Sequence, residues 1–175
     1  MKRTVGSKIS AKDIALLGLL VAIEVILTRF FAIENSFVRI SFAFLPLMLM
    51  GHLFGPWLAG LGGIVGDIVG MLIFPKAMFF PGFTFNAFLI PFLYGVMFYR
   101  KDINLKRIVM AQLLIMGMVS LVLTPIWLNI LFKIPIFELL PVRLLKEGIL
   151  FPINVFVSYC LFNKTSLVTV MEMGK

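Results

Sequence analysis

Apolar runs of about 20 residues recur along this chain, separated by Gly/Pro breakers and short charged clusters, and that length is what a helix needs to cross a hydrocarbon core. Runs and breakers read together predict six helices, at about 11–30, 42–54, 57–73, 83–99, 107–132 and 138–162. The gap from Phe31 to Ser41 is longer than a tight turn, whereas Gly51 to Trp57 is short and turns through Gly55-Pro56. The second segment is short for a full span, so it is expected to tilt or to be completed by loop residues. The expected fold is an all-α integral membrane protein, with residues 1–175 forming a single bundle of six transmembrane helices.

Composition strengthens this picture. Hydrophobic residues make up 61% of the chain and charged residues 14%, which sets soluble readings aside. The basic start, Lys2, Arg3, Lys8 and Lys12, runs into the first apolar segment without a small-residue cleavage site, so that segment is expected to be retained as a span. The net charge of +8 could suggest nucleic acid, but the cations fall between apolar blocks instead of forming one stripe. Topology accounts for most of them. Arg100, Lys101, Lys106 and Arg107 share a side with the cations of both ends, which the positive-inside rule makes cytoplasmic, with both termini there. The single Cys160 lies in an apolar stretch, cannot form an internal disulfide, and is assigned to packing.

Six cations remain that this rule leaves unexplained: Arg29, Arg39, Lys76, Lys133, Arg143 and Lys146 all fall at or near the outer ends of helices. Snorkelling at the interface would account for Lys133 and Lys76. For the set as a whole, an anionic ligand arriving from outside is the better explanation, through charge-assisted hydrogen bonds. Three acids, Glu24, Asp67 and Glu147, also interrupt apolar segments, at a cost of roughly 2.5 to 3.5 kcal/mol each at bilayer depth, and so indicate a polar interior site. On the sixth helix Arg143, Glu147 and Asn154 share a face with Lys146 beside it; either Arg143 and Glu147 satisfy each other, or they meet a ligand. On the third helix Asp67 lies on the face of Gly63 and Gly70, within a small-residue series that lets a neighbouring helix approach and bury it.

On the first helix Ala11, Ala15, Gly18 and Ala22 occupy a narrow sector almost opposite Glu24. If Glu24 turns inward, this smooth surface turns outward and suits a partner helix; packing inside the bundle is the alternative. Arg29 lies on the small-residue side of the wheel, away from the interior. The fourth helix opens on Phe79-Phe80-Pro81-Gly82-Phe83-Thr84, where Pro and Gly force irregular backbone and gather rings at the outer rim. Phe80, Phe83 and Trp127 could stack on a flat conjugated ligand, although aromatic belts form at every membrane interface. Asn86 and Asn129 offer amides matched to the paired donors and acceptors of a heterocycle. The chain has no phosphate-binding loop, no metal-ligand cluster beside the lone His52, and no nucleophile–base pair, which argues against an enzyme and for neither metal nor cofactor. No duplication between halves supports a stand-alone transporter built from inverted repeats.

These residues resemble a family: the S components, six-helix vitamin-capture subunits of energy-coupling factor (ECF) transporters, and within it the folate-specific branch. The resemblance rests on Ser41-Phe42-Ala43-Phe44-Leu45-Pro46, on Leu53-Phe54-Gly55-Pro56 followed by Gly66-Asp67-Ile68-Val69-Gly70, and on Phe80-Pro81-Gly82-Phe83-Thr84. It also covers Ala11 and Ala15, which match the Ala-x-x-x-Ala element that meets the partner membrane subunit in the family, with Gly18 and Ala22 extending it. It implies a non-enzymatic subunit of the bacterial plasma membrane that binds a vitamin from outside and works with a transmembrane partner and two cytoplasmic ATPases. A folate ligand would bring a flat pterin to Phe80, Phe83 and Trp127, with Asn86, Asn129 or Asp67 on its heteroatoms. Its glutamate tail would meet Arg39, Lys76 or Arg143, with Glu147 beside Arg143. The remaining alternatives are an S component for riboflavin, pantothenate or thiamine, the last disfavoured by its positive charge, a stand-alone secondary transporter, and a membrane scaffold protein.

Overall fold

The computed structural model describes residues 10–34, 39–75 and 79–164. Six helices run through them: α1 (Ala11–Arg29), α2 (Phe44–Phe54), α3 (Pro56–Ile73), α4 (Pro81–Phe98), α5 (Leu105–Phe132) and α6 (Ile136–Lys164). Their ends fall within two residues of the segments expected from the apolar runs. Local chemistry fixes several of these ends. Ser10 and Asp13 form a reciprocal capping box at the start of α1, the Asn104 side chain caps α5, and Pro occupies the first turn of α3 and α4, where its missing N–H costs nothing. Between α1 and α2, where a long connection is expected, Ile33–Glu34 and Arg39–Ile40 pair as two-residue antiparallel strands.

α3, α4, α5 and α6 are each long and apolar enough to cross a membrane, and α2 is an apolar helix of 11 residues. α1 has the length, at 19 residues, but carries Lys12, Asp13, Glu24 and Arg29. α5 is not uniformly wound: a π-helical stretch, Met116–Leu123, joins two α-helical parts, Leu105–Ile115 and Thr124–Phe132. Such wide turns carry more residues per rotation than an α-helix and often coincide with functional sites.

Without a hydrophobic force between helices in lipid, close backbone approach and side-chain interlocking hold such a bundle together. Gly63 of α3 faces the Ala87 carbonyl and Pro91 of α4 so closely that any side chain there would collide with backbone. Gly51 of α2 faces α4 in the same way, with an added Cβ standing 2.6 Å from Gly95 N. The apolar core formed by these approaches lies toward the end of the bundle that holds the α2–α3 and α4–α5 connections. It contains Leu20, Met48, Met50, Leu53, Phe54, Tyr94, Phe98 and Ile108, all buried. Tyr94 stacks on Phe98 at 5.7 Å, and the Tyr94 hydroxyl donates to Gln112 Oε1 at 3.2 Å. Gln112 in turn donates to Ser158 of α6 at 3.3 Å.

Candidate functional site

Toward the opposite end the interior changes character. Glu24, Arg29, Asn86, Arg143 and Glu147 are buried there, each between 5% and 8% exposed, and they gather in three linked groups.

The first group joins α1, α3 and α4. Thr84 Oγ1 donates to Asp67 Oδ2 at 2.8 Å, and Arg29 Nη2 stands 3.8 Å from Asp67 Oδ1. Arg29 also donates to the Phe74 carbonyl at 3.4 Å, next to the end of α3. Two glycines make this possible. Any Cβ at Gly66 would occupy the place of the Glu24 carboxylate, and one at Gly70 would lie 2.7 Å from Arg29 Nε. Asp67 is thus half-buried against α1 and α4, whereas its small-residue face predicts full burial. Arg29, which the helical wheel sets apart from the interior, instead reaches into it: its Cα lies on the outer side, but the four-bond side chain follows the groove over Gly70.

The second group joins α4 and α5. Trp127 Nε1 donates to Asn86 Oδ1 at 3.1 Å, Asn86 Nδ2 donates to Thr124 Oγ1 at 3.2 Å, and Thr124 Oγ1 donates to the Val119 carbonyl at 2.7 Å. Phe80 lies 5.9 Å from the Trp127 ring and 5.8 Å from Phe83. Gly82 sits between Phe80 and Trp127, where an added Cβ would come within 2.6 Å of both rings. Phe80, Pro81, Gly82, Phe85 and Trp127 line an open apolar cleft of about 490 Å³. A second cleft of about 370 Å³, lined by Ile68, Met71, Leu72, Pro75 and Phe79, lies on the other side of the segment leading into α4.

The third group joins α5 and α6. Ser120 Oγ donates to Glu147 Oε1, Lys146 Nζ pairs with the same oxygen at 2.9 Å, and Arg143 Nη1 donates to the Ser120 carbonyl at 3.2 Å. Both the Ser120 hydroxyl and carbonyl are therefore used, and both belong to the π-helical stretch, whose wider winding leaves carbonyls available to side chains.

Of the ten ligand-site candidates, Phe80, Phe83, Asn86 and Trp127 come together as one group, and Arg143 and Glu147 meet through Ser120 and Lys146. Asp67 belongs to the α1–α3–α4 group. Asn129 donates its amide to the Ile134 carbonyl at 2.8 Å, closing the turn in which Lys133 adopts a left-handed conformation. Lys76 lies outside the described residues, and for Arg39 the backbone alone is described, in the second short strand. The partner-surface candidates Ala11, Ala15, Gly18 and Ala22 are all exposed while Glu24 is buried, and a Cβ at Gly18 would meet nothing within 4 Å. Arg29 and Lys146, two of the six outer cations, complete the site's hydrogen bonding together with Thr84, Ser120 and Thr124, three hydroxyls that the sequence pattern does not mark as site residues. Among the described residues no group of three or more His, Cys, Asp or Glu could hold a metal ion.

A six-helix bundle with a ring cleft, buried amides and cations at one end is the architecture of a membrane subunit that captures a small molecule. Residues 12–168 match the profile of the family described as "ECF transporter, substrate-specific component", and the chain belongs to that family. It is 42% identical over 143 residues to the folate transporter FolT of Clostridium novyi (strain NT), covering 82% of this chain and 83% of that protein. Identity to the folate transporter FolT of Leuconostoc mesenteroides is 29% over 162 residues, covering 89% of this chain and 87% of that one. The fold superimposes with a TM-score of 0.85 on a crystal structure of FolT bound with folic acid, at 46% identity, over 89% of this chain and 96% of that one.

Proposed function

We propose that this protein captures folate on the extracellular side of the bacterial plasma membrane and hands it inward as the binding subunit of an ECF importer, without enzymatic chemistry of its own. The observation that carries this reading is the Phe80–Trp127 cleft with the Asn86 amide at its edge. Flat rings about 6 Å apart, held by a buried hydrogen-bonded amide, suit a planar heterocycle rich in donors and acceptors. Its likeness to a folate-bound relative narrows that heterocycle to a pterin.

Arg143 and Lys146, about two to three turns inside the start of α6, supply the charge complement for the carboxylates of the glutamate tail, with Ser120 and Glu147 orienting them. Arg39 and Lys76, on the two connections at the same end, are further candidates for that tail. Asn129 is needed by the α5–α6 turn and serves the site through its shape. Both termini and the Arg100–Arg107 connection face the cytoplasm, where two ATPases drive release. The outward Ala11–Ala15–Gly18–Ala22 face docks on the transmembrane partner subunit.

The absorbance spectrum of the purified protein and titration calorimetry with folic acid test this directly. Stoichiometric binding of folic acid, weakened by Trp127→Ala, is expected; a flavin spectrum, or no heat with folic acid, would refute the assignment.

A further inference from the structure

The Asp67 carboxylate is half-buried on α3, and its oxygens face two other helices. Oδ2 accepts from Thr84 in the first turn of α4, at 2.8 Å, and Oδ1 faces the Arg29 guanidinium from the last turn of α1, at 3.8 Å. Asp67 is not among the residues that line the ring cleft. Thr84, however, is flanked by that cleft's supports: Phe83 precedes it, Asn86 follows two residues later, and Pro81 and Gly82 begin the same turn. The turn has no capping side chain of its own, since Phe80 at its N-cap makes no such hydrogen bond. Among the described residues, the Thr84–Asp67 bond ties this uncapped turn to α3 from outside the helix.

We infer that Asp67 is a positioning residue for ligand capture: acting through Thr84 and steadied by Arg29, it sets the rotation of the first turn of α4 and with it the spacing of Phe80 and Trp127. It does not touch the ligand. The inference rests on the folate reading of the cleft and adds to it a residue outside the cleft that determines its width. A hydrogen bond to a charged group is stronger than one between neutral partners, which suits it to hold a turn otherwise uncapped.

The test compares Asp67→Asn, Thr84→Val, Thr84→Ser and the Asp67→Asn/Thr84→Val double variant as full chains in detergent, by calorimetry with folic acid. A Trp57→Phe background leaves Trp127 as the sole tryptophan, whose emission reports the cleft without ligand. Asp67→Asn and Thr84→Val are each expected to weaken folic acid by about tenfold, the loss of one charge-assisted hydrogen bond. The double variant should be no weaker than the worse single, Thr84→Ser should bind as wild type, and Thr84→Val should shift Trp127 emission to the red before ligand is added.

Wild-type affinity in Thr84→Val alongside loss in Asp67→Asn would make Asp67 a ligand contact and overturn the inference. Loss in both with unchanged Trp127 emission and no rescue by Thr84→Ser would reduce the pair to general stability and overturn it equally. Thr84→Ala replaces Thr84→Val if the latter does not fold. Should the wild type fail to bind folic acid, the folate reading falls, while the Trp127 emission of the Thr84 variants still decides whether Asp67 sets the cleft.

Discussion

The two ends of this bundle are built on opposite principles. Around Met48, Met50, Phe54, Tyr94 and Phe98, rings and thioethers interlock, and the Tyr94–Gln112–Ser158 chain is satisfied internally. Around Asn86, Ser120 and Glu147, buried polar groups bridge helices next to an open cleft lined by rings. The difference teaches that the apolar end carries the geometry and the polar end uses it. In a membrane, dry packing costs little and needs no upkeep, whereas each buried ion at the other end must be matched by partners or it destabilises the fold. A site can be concentrated at one end because the other end alone keeps the helices in place.

Substitutions that affect one end and spare the other break or sharpen this contrast. Phe98→Ala should produce the largest effect, about 3 kcal/mol of stability through an unfilled cavity, read by thermal unfolding in detergent. The fraction that remains folded should bind folic acid with unchanged affinity; a comparable loss of affinity would show that the ends are not separable. Trp127→Ala should do the reverse, weakening folic acid by about 2 kcal/mol in calorimetry while the unfolding midpoint moves little. Asn86→Leu should weaken binding by about 1.5 kcal/mol, because Trp127 Nε1 loses its acceptor and Thr124 Oγ1 loses one of its two bonds. Ser120→Ala should cost about 1 kcal/mol in affinity with little effect on folding, since Lys146 still pairs with Glu147. Gly18→Leu should be silent on the isolated subunit in both assays, as open space surrounds the position, yet abolish folate uptake in vesicles carrying the complete importer.

The helices were legible because span length and Gly/Pro punctuation are local properties: Gly55-Pro56 and Pro81 mark starts that no distant contact could move. Which polar residues would meet was less so. Asn86 and Trp127 both stand out as lone polar or aromatic positions near helix ends, but that they bond to each other depends on how α4 and α5 rotate, and the π-helical stretch alters that rotation without any sign in the apolar pattern. The same stretch hid Ser120 and Thr124, which look like ordinary lipid-tolerated hydroxyls until its carbonyls are seen to need partners. Arg29 was misplaced by a wheel that tracks Cα positions and ignores a long flexible stem. Asn129 has the chemistry of a ligand contact, and only the left-handed Lys133 turn reveals that its Nδ2 also donates to the backbone.

The wide winding at Met116–Leu123 also has a consequence for the pocket. Winding that segment as ordinary α-helix at its present length would turn Trp127 about the axis and carry it off the cleft without altering any residue that faces the guest, whereas losing a residue at the same time would largely offset that turn. The winding of this stretch thus sets the phase of one wall of the pocket, independently of the side chains that line it.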